Sequence, residues 1–440
     1  MMSSTSYCRK LPLKRYFLPL ALFSVSLTLS LPSYAKCVWK GYNLGGDSNG
    51  APLRFGNINM TSNYIQPVDS ILASSIISLV PARALANPET VLYECDLADK
   101  DSLYEVFATN GDSNVGGYTN MGDNYFQTFF PYTALKLIHV DSGMEFTRIW
   151  QQVRLTKYDT LGNKIQIKGK HFSQIRAELK KVATVDRTPG TSTWGCPGPA
   201  ADTYSGNYTC NQPNGYVVFK GPGADVPETG YDSSTRFDTW GSGRYMAFGM
   251  NTAPVSSLSR KNTCAVRNVT PYVVFPTITV SELAQDQTRS ASINVDVECQ
   301  TGTLSGINSG QTSIGIQTSL PGYLKAQGLG LVNTAGGVSY LLSDLYGTDS
   351  RIATGVGITL EDSSGTPMNF VGWGGCSGNC TSAANAGWYP ILAGANANGS
   401  SAAGYNNYTT QFTATLKKLP GSAPTAGKID ATAYVLVKVQ

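Results

Sequence analysis

From Gly427 to Gln440 the chain reads Gly-Lys-Ile-Asp-Ala-Thr-Ala-Tyr-Val-Leu-Val-Lys-Val-Gln, with Ile429, Ala431, Ala433, Val435, Val437 and Val439 at every second position. A period of two is that of a β-strand, so these side chains share one face, while Lys428, Asp430, Thr432, Tyr434, Leu436 and Lys438 share the other. A half-buried strand is expected. The same alternation runs through Ala291, Ile293, Val295, Val297 and Cys299 against Ser292, Asn294, Asp296 and Glu298, which puts Cys299 on the core side opposite an incoming strand at Cys264. Composition agrees: 46 glycines, 24 tyrosines and only 14% charged residues suit strands and turns better than long helices. The chain is expected to be all-β.

Arg9, Lys10, Lys14 and Arg15 precede an apolar run from Phe17 to Leu31, and Ser33-Tyr34-Ala35 supplies small residues at the cleavage positions, so residues 1–35 read as a secretory signal peptide. That run is short and interrupted, and no later stretch approaches the roughly 18 apolar residues of a membrane span. Of 33 Lys and Arg against 29 Asp and Glu, the signal holds four basic residues. The exported chain is therefore neutral, which argues against a nucleic-acid or anionic-membrane binder. Cys8 leaves with the signal, and the remaining eight cysteines in an oxidising compartment read as four disulfides. Short spacings within two domains favour Cys37–Cys95, Cys196–Cys210, Cys264–Cys299 and Cys376–Cys380.

The length calls for two domains. Residues 251–263 lack an apolar period and carry linker-type residues, giving a first domain at 36–256, a linker at 257–261 and a second domain at 262–440. Within the first, 134–140, 145–155 and 164–168 are strand-like and are expected to form a meander of hairpins. Residues 173–181 fit a short helix and a strand about equally.

The stretch 262–440 resembles the pilin domains of the chaperone–usher family, through the early pair Cys264 and Cys299, the penultimate strand Tyr408–Lys418, Gly427 at the fourteenth position from the end, and the alternating tail. It departs from the family pattern at Val439, where an aromatic residue is usual, and in the extra pair Cys376 and Cys380. The resemblance implies an incomplete immunoglobulin-like sandwich lacking its last strand, whose open groove a partner fills by strand addition. The groove is then lined from Gly427, Ile429, Ala431, Ala433, Val435, Val437 and Val439. The implied partners are a periplasmic chaperone, an outer-membrane usher and an adjacent pilus subunit that donates a strand.

Shaft subunits of this family begin with a donor extension, whereas here Lys36-Cys37 is followed by about 225 residues before the pilin-like part. By resemblance the chain is a two-domain tip adhesin, exported through the periplasm to the fimbrium tip, whose first domain is a β-sandwich or jelly-roll-like lectin domain. A glycan or other surface receptor is the expected ligand. Sugar recognition needs aromatic faces and fixed polar groups on loops, and the loop 109–126 supplies Asn110, Asp112, Asn114, Tyr118, Asn120, Asp123, Asn124 and Tyr125 as ligand-binding candidates. Each also reads as an ordinary turn residue. Asp112, Asn114, Gly117 and Asp123 follow an EF-hand-like spacing, but Gly116 at position five, an Asp at position twelve and the lack of flanking helices leave it a poor calcium loop. A second surface runs from Trp194 and Cys196 through Tyr204 and Tyr208 to Tyr231, Asp232, Arg236, Asp238 and Trp240.

Catalysis has little support. The two histidines, His139 and His171, stand in no metal spacing, and no nucleophile elbow, phosphate loop or zinc-type cysteine array occurs. No catalytic residue, metal or cofactor is expected. The competing functions are a non-lectin pilus subunit that binds protein or matrix, and a secreted carbohydrate-active enzyme whose paired carboxylates only the fold brings together.

Overall fold

Strands dominate the computed structural model, which describes residues 36–44, 46–47, 50–80, 87–188, 196, 198–224, 227–234, 243–374 and 383–440. The expected signal peptide, Trp194, Arg236, Asp238, Trp240, Cys376 and Cys380 lie outside the described residues. Ala35–Gln440 form one unit with two main cores. The first draws its buried apolar residues from Cys37 to Leu258. The second runs from Cys264 to Leu419 and takes in one residue from the front of the chain, Ile76. Disulfides Cys37–Cys95, Cys196–Cys210 and Cys264–Cys299 are formed.

In the first region one sheet orders Ala51–Pro52, Tyr245–Gly249, Gly215–Lys220, Tyr104–Thr109 and Gln151–Arg154. Tyr104–Thr109 shows why this sheet can carry a site. Phe107 points into the main core, while Val106 and Ala108 face the opposite side with Trp150, Tyr216, Val218, Tyr245 and Ala247. Both faces are therefore apolar, and the second is unusually aromatic. A further sheet orders Ile71–Ile77, Ile175–Lys181, Thr133–His139 and Phe126–Gln127. Residues 175–181 are thus a strand, with Ile175, Ala177 and Leu179 buried in alternation.

Three sequence expectations change in detail. The runs 134–140 and 145–155 meet in a short hairpin at Ile138 and Glu145, with Phe146 N donating to the Leu137 carbonyl (2.8 Å), but the three runs do not continue as one meander: Thr133–His139 pairs along its length with Ile175–Lys181, Gln151–Arg154 with Tyr104–Thr109, and Lys164–Lys168 with Val91–Asp96. Local alternation sets which face is buried, but long-range neighbours set the partner. Of 145–155 only Gln151–Arg154 is strand. The expected linker contains strand Ser257–Ser259, which lies parallel to Asn57–Asn59.

The second region is two facing sheets. Cys264–Val269, Arg289–Gln300, Tyr405–Lys418, Val356–Glu361 and Pro367–Met368 form one, and Cys264 stands opposite Cys299 in register. In the other, Thr312–Thr318 takes Phe370–Val371 and Tyr389–Pro390 on one side and Ala433–Val439 on the other. Strand Ala433–Val439 pairs only with Thr312–Thr318 among the described residues. Ile429, Ala431, Val435 and Val437 pack partly buried against the core, and Val439 is buried. Ala433, expected on the same lining, is exposed at the strand's first position. Gly427 fits the backbone closely: a Cβ there would come within 2.5 Å of the Ala353 nitrogen.

Candidate ligand-binding face

The loop after Tyr104–Thr109 is built from the inside outward. Asn110 is fully buried, and its amide donates to Gln212 Oε1 (3.1 Å) and the Pro213 carbonyl (3.0 Å). Asn114 is buried too and donates to the Thr188 carbonyl (2.8 Å). Tyr125 is buried; its hydroxyl donates to Glu178 Oε2 (3.1 Å), and the ammonium groups of Lys136 and Lys180 lie over its ring. These three side chains hold the loop and turn no polar edge outward.

Gly122-Asp123-Asn124-Tyr125 closes with Tyr125 N donating to the Gly122 carbonyl (2.9 Å), and Asp123 and Asn124 both have positive φ, at 50° and 56°. That is a type I′ turn, which aspartate and asparagine tolerate. Asn124 donates to Glu145 Oε2 (2.9 Å) and Asn120 accepts from Gly122 N (2.9 Å). Asp112 and Asp123, the ends of the EF-hand-like spacing, belong to different parts of the loop. Among the described residues no three His, Cys, Asp or Glu side chains gather as for a metal ion.

Tyr118 is exposed, and the Arg148 guanidinium lies 4.3 Å from its ring centroid. Arg148 Nε is 2.5 Å from Asp232 Oδ2, and Asp232 Oδ1 accepts from Ser234 N and Oγ. Tyr118 and Asp232, taken from two separate stretches of sequence, thus flank one arginine. Gly111 makes this approach possible, because a Cβ there would fall 2.4 Å from Ser233 Oγ and 2.8 Å from both Arg148 Cγ and Asp232 Oδ1. Its N–H donates to Ser233 Oγ, which in turn donates to the Thr109 carbonyl (2.8 Å).

Next to Gly111, Asp112 comes under the influence of Asp47. Burial raises the pKa of Asp112 and the Asp47 charge raises it further. Burial raises Asp47 as well, partly offset by hydrogen bonds from Tyr245 (3.1 Å) and Tyr216. Both phenols are pushed well up, by burial first and then by the Asp47 charge. Two desolvated carboxylates thus sit beside Tyr216 and Tyr245 on the aromatic side of the sheet. Sequence reading missed Asp47, Arg148, Trp150, Tyr216 and Tyr245. Arg148 and Trp150 fall in the strand-like run 145–155, but that run does not say which face is aromatic.

His139 is buried, stacked on Phe107 at 4.8 Å, with Nδ1 2.9 Å from Ser142 Oγ and Nε2 3.4 Å from Glu105 Oε2. Glu105 accepts from Ser173 N through both oxygens at 3.1 Å. The Nε2 contact lacks hydrogen-bond alignment. His171 accepts from Lys168 N (3.0 Å) and lies 3.3 Å from Asp159. Both histidines hold backbone and turns together.

Residues 250–440 match the family model described as Fimbrial protein. No curated relative matches the chain. Among solved structures it is similar to the CupB6 tip adhesin from Pseudomonas aeruginosa, at 11% identity and TM-score 0.25, over 92% of this chain and 95% of that one. It is also similar to the CsuC–CsuE chaperone–tip adhesion subunit complex of the archaic Csu pili of Acinetobacter baumannii, at 12% identity and TM-score 0.21, over 91% and 99%. The P pilus rod subunit PapA aligns over 40% of this chain and 99% of its own, at 17% identity and TM-score 0.23. Among the described residues no helix is long and apolar enough to cross a membrane.

Proposed function

We propose that this chain is the adhesive terminal subunit of a chaperone–usher pilus, its C-terminal domain joined to the fibre by an added strand and its N-terminal domain binding a surface glycan. The observation that carries the reading is strand Ala433–Val439, in the stretch that matches the Fimbrial protein family model; it is hydrogen-bonded along one edge to Thr312–Thr318 and has no described strand on its other edge. An edge of unpaired backbone groups beside Ile429, Val435 and Val437 is what strand addition uses. A periplasmic chaperone covers that edge first, and the neighbouring subunit's strand replaces it at the usher.

The glycan reading is supported by Tyr118, Arg148, Asp232, Asp112 and Asp47, which combine an exposed ring, a fixed guanidinium and carboxylate acceptors in one neighbourhood. Rings stack on sugar C–H faces and the charged groups take hydroxyls. Screening residues 36–440, loaded with a donor-strand peptide, against immobilised glycans tests the proposal. Retention on defined glycans without turnover supports it. Retention only on deglycosylated protein or matrix points to a protein-binding subunit, and release of cleaved sugar points to an enzyme.

A further inference from the structure

Arg148 is fixed by its surroundings but leaves its outer donors unused. Its guanidinium lies 4.3 Å from the Tyr118 ring centroid, and its Nε stands 2.5 Å from Asp232 Oδ2. Asp232 is itself fixed, because its Oδ1 accepts from Ser234 N (3.0 Å) and Ser234 Oγ (2.8 Å). The two residues sit on paired backbone: Ser233 N donates to the Arg148 carbonyl (2.9 Å) and Trp150 N to the Tyr231 carbonyl (2.9 Å), with Ile149 opposite Asp232. The arginine therefore stands on a short antiparallel ribbon, which holds a side chain more closely than a free loop end does.

The terminal amino groups of Arg148, Nη1 and Nη2, donate no hydrogen bond to a described residue, and neither is buried away from solvent. Four other described arginines behave differently: Arg187, Arg267, Arg289 and Arg351 each place Nη2 on a protein oxygen, at 2.7, 3.2, 2.7 and 2.7 Å. A guanidinium presents parallel N–H groups in one rigid plane and so suits two neighbouring oxygens, whereas an ammonium is a point donor without that plane. Fixing the side chain beforehand lowers the entropy lost on binding. Tyr118 and Ile149 are both exposed here, which adds the apolar surface that a sugar ring packs on.

We propose that Nη1 and Nη2 of Arg148 are the specificity-determining donors of the Tyr118 face, and that they take two neighbouring oxygens of one saccharide residue, from a pair of vicinal hydroxyls or from a carboxylate. The inference rests on the glycan-binding reading above. Its test is saturation-transfer NMR titration of residues 36–440 with the methyl glycosides of glucose, galactose and mannose, their monodeoxy analogues, and the methyl glycosides of glucuronic and galacturonic acid. The wild-type chain is expected to bind at least one glycoside and to prefer it about tenfold over the counterpart that lacks one hydroxyl, or that carries a hydroxymethyl group in place of the carboxylate. A preference set by a hydroxyl identifies the diol, and one set by the carboxylate identifies the acid. Arg148→Lys keeps the charge without the fork and is expected to lose the preference while its melting curve shows it folded. A second readout covers a variant that binds nothing: the Arg148 side-chain Nη resonances of the wild-type chain should shift on addition of the bound glycoside, and unmoved resonances overturn the assignment. A preference in Arg148→Lys equal to that of wild type also overturns it and leaves the glycan reading standing. A wild-type chain that binds none of these glycosides overturns it too, whereas the glycan reading is decided separately, by the screen on immobilised glycans.

Discussion

The Asn57 side-chain amide donates to the backbone carbonyls of Val439 (3.3 Å) and Gln440 (3.1 Å), linking the first region of the chain to the end of the edge strand. Around this contact Thr61 donates to Gln300 Oε1 (2.9 Å), Tyr64 donates to Glu298 (3.2 Å) and packs against Tyr405, and Ile76 N donates to the Trp373 carbonyl (2.9 Å). Glu298 lies on the expected polar face of its strand, yet it is buried by Tyr64, Arg267 and Ser401. Asn57→Ala should lower stability by about 1 kcal/mol, the worth of a partly buried hydrogen bond. Backbone hydrogen exchange at 435–440 should speed up; unchanged exchange there would mean that the contact does not hold the strand end.

Asp112→Asn should raise the melting temperature at neutral pH. Burial and Asp47 both raise the folded-state pKa of Asp112. The stability linked to its neutral form is therefore present at low pH and is lost as pH rises through that raised pKa. The advantage of the amide should shrink on acidification toward the ordinary carboxylate range near about 4. A pH-independent difference between variant and wild type would count against a desolvated carboxylate.

Tyr118→Ala should weaken glycan retention roughly tenfold while moving stability by less than about 0.5 kcal/mol, because the ring is exposed and its partner Arg148 keeps the Asp232 contact. Surface plasmon resonance and a melting curve on the same preparation decide this. Equal loss in both would assign Tyr118 a structural role.

Gly427→Ala should cost about 1–3 kcal/mol, because the new methyl meets the Ile352–Ala353 backbone rather than a side chain that can turn aside. Denaturant unfolding measures it. A variant as stable as wild type would show that the backbone here yields easily.

What the sequence made legible followed from local periodicity. Val435, Val437 and Val439 declared their face because a strand repeats every two residues, and they stand opposite Ile316, Ile314 and Thr312. Cys264 and Cys299 were readable for the same reason. The candidate face was not, since Asp47 meets Asp112, and Arg148 meets both Tyr118 and Asp232, only through tertiary contacts. Asn110, Asn114 and Tyr125 looked like ligand groups because polar and aromatic residues in a glycine-rich loop suit both binding and anchoring. Only their partners Pro213, Thr188 and Glu178 distinguish the two roles.

The final prediction concerns the edge of Ala433–Val439 that has no strand beside it among the described residues. Val437 stands opposite Ile314 and packs partly buried against the core, while Tyr434 faces away and is 48% exposed. Val437→Asp puts a carboxylate against apolar neighbours and should cost on the order of 2–4 kcal/mol, whereas Tyr434→Asp should stay within about 0.5 kcal/mol. Capture by the periplasmic chaperone should accordingly fail for the first and persist for the second. Cys37, just beyond the expected cleavage point, is bonded to Cys95, and its N–H donates to the Pro222 carbonyl (2.7 Å). A chain processed after Ala35 therefore has its first residues committed to the N-terminal core, and it should accept one donor peptide without extending the fibre. Immunogold labelling should find it at pilus ends; labelling along the shafts, or self-polymerisation of the processed chain, would defeat the terminal-subunit proposal.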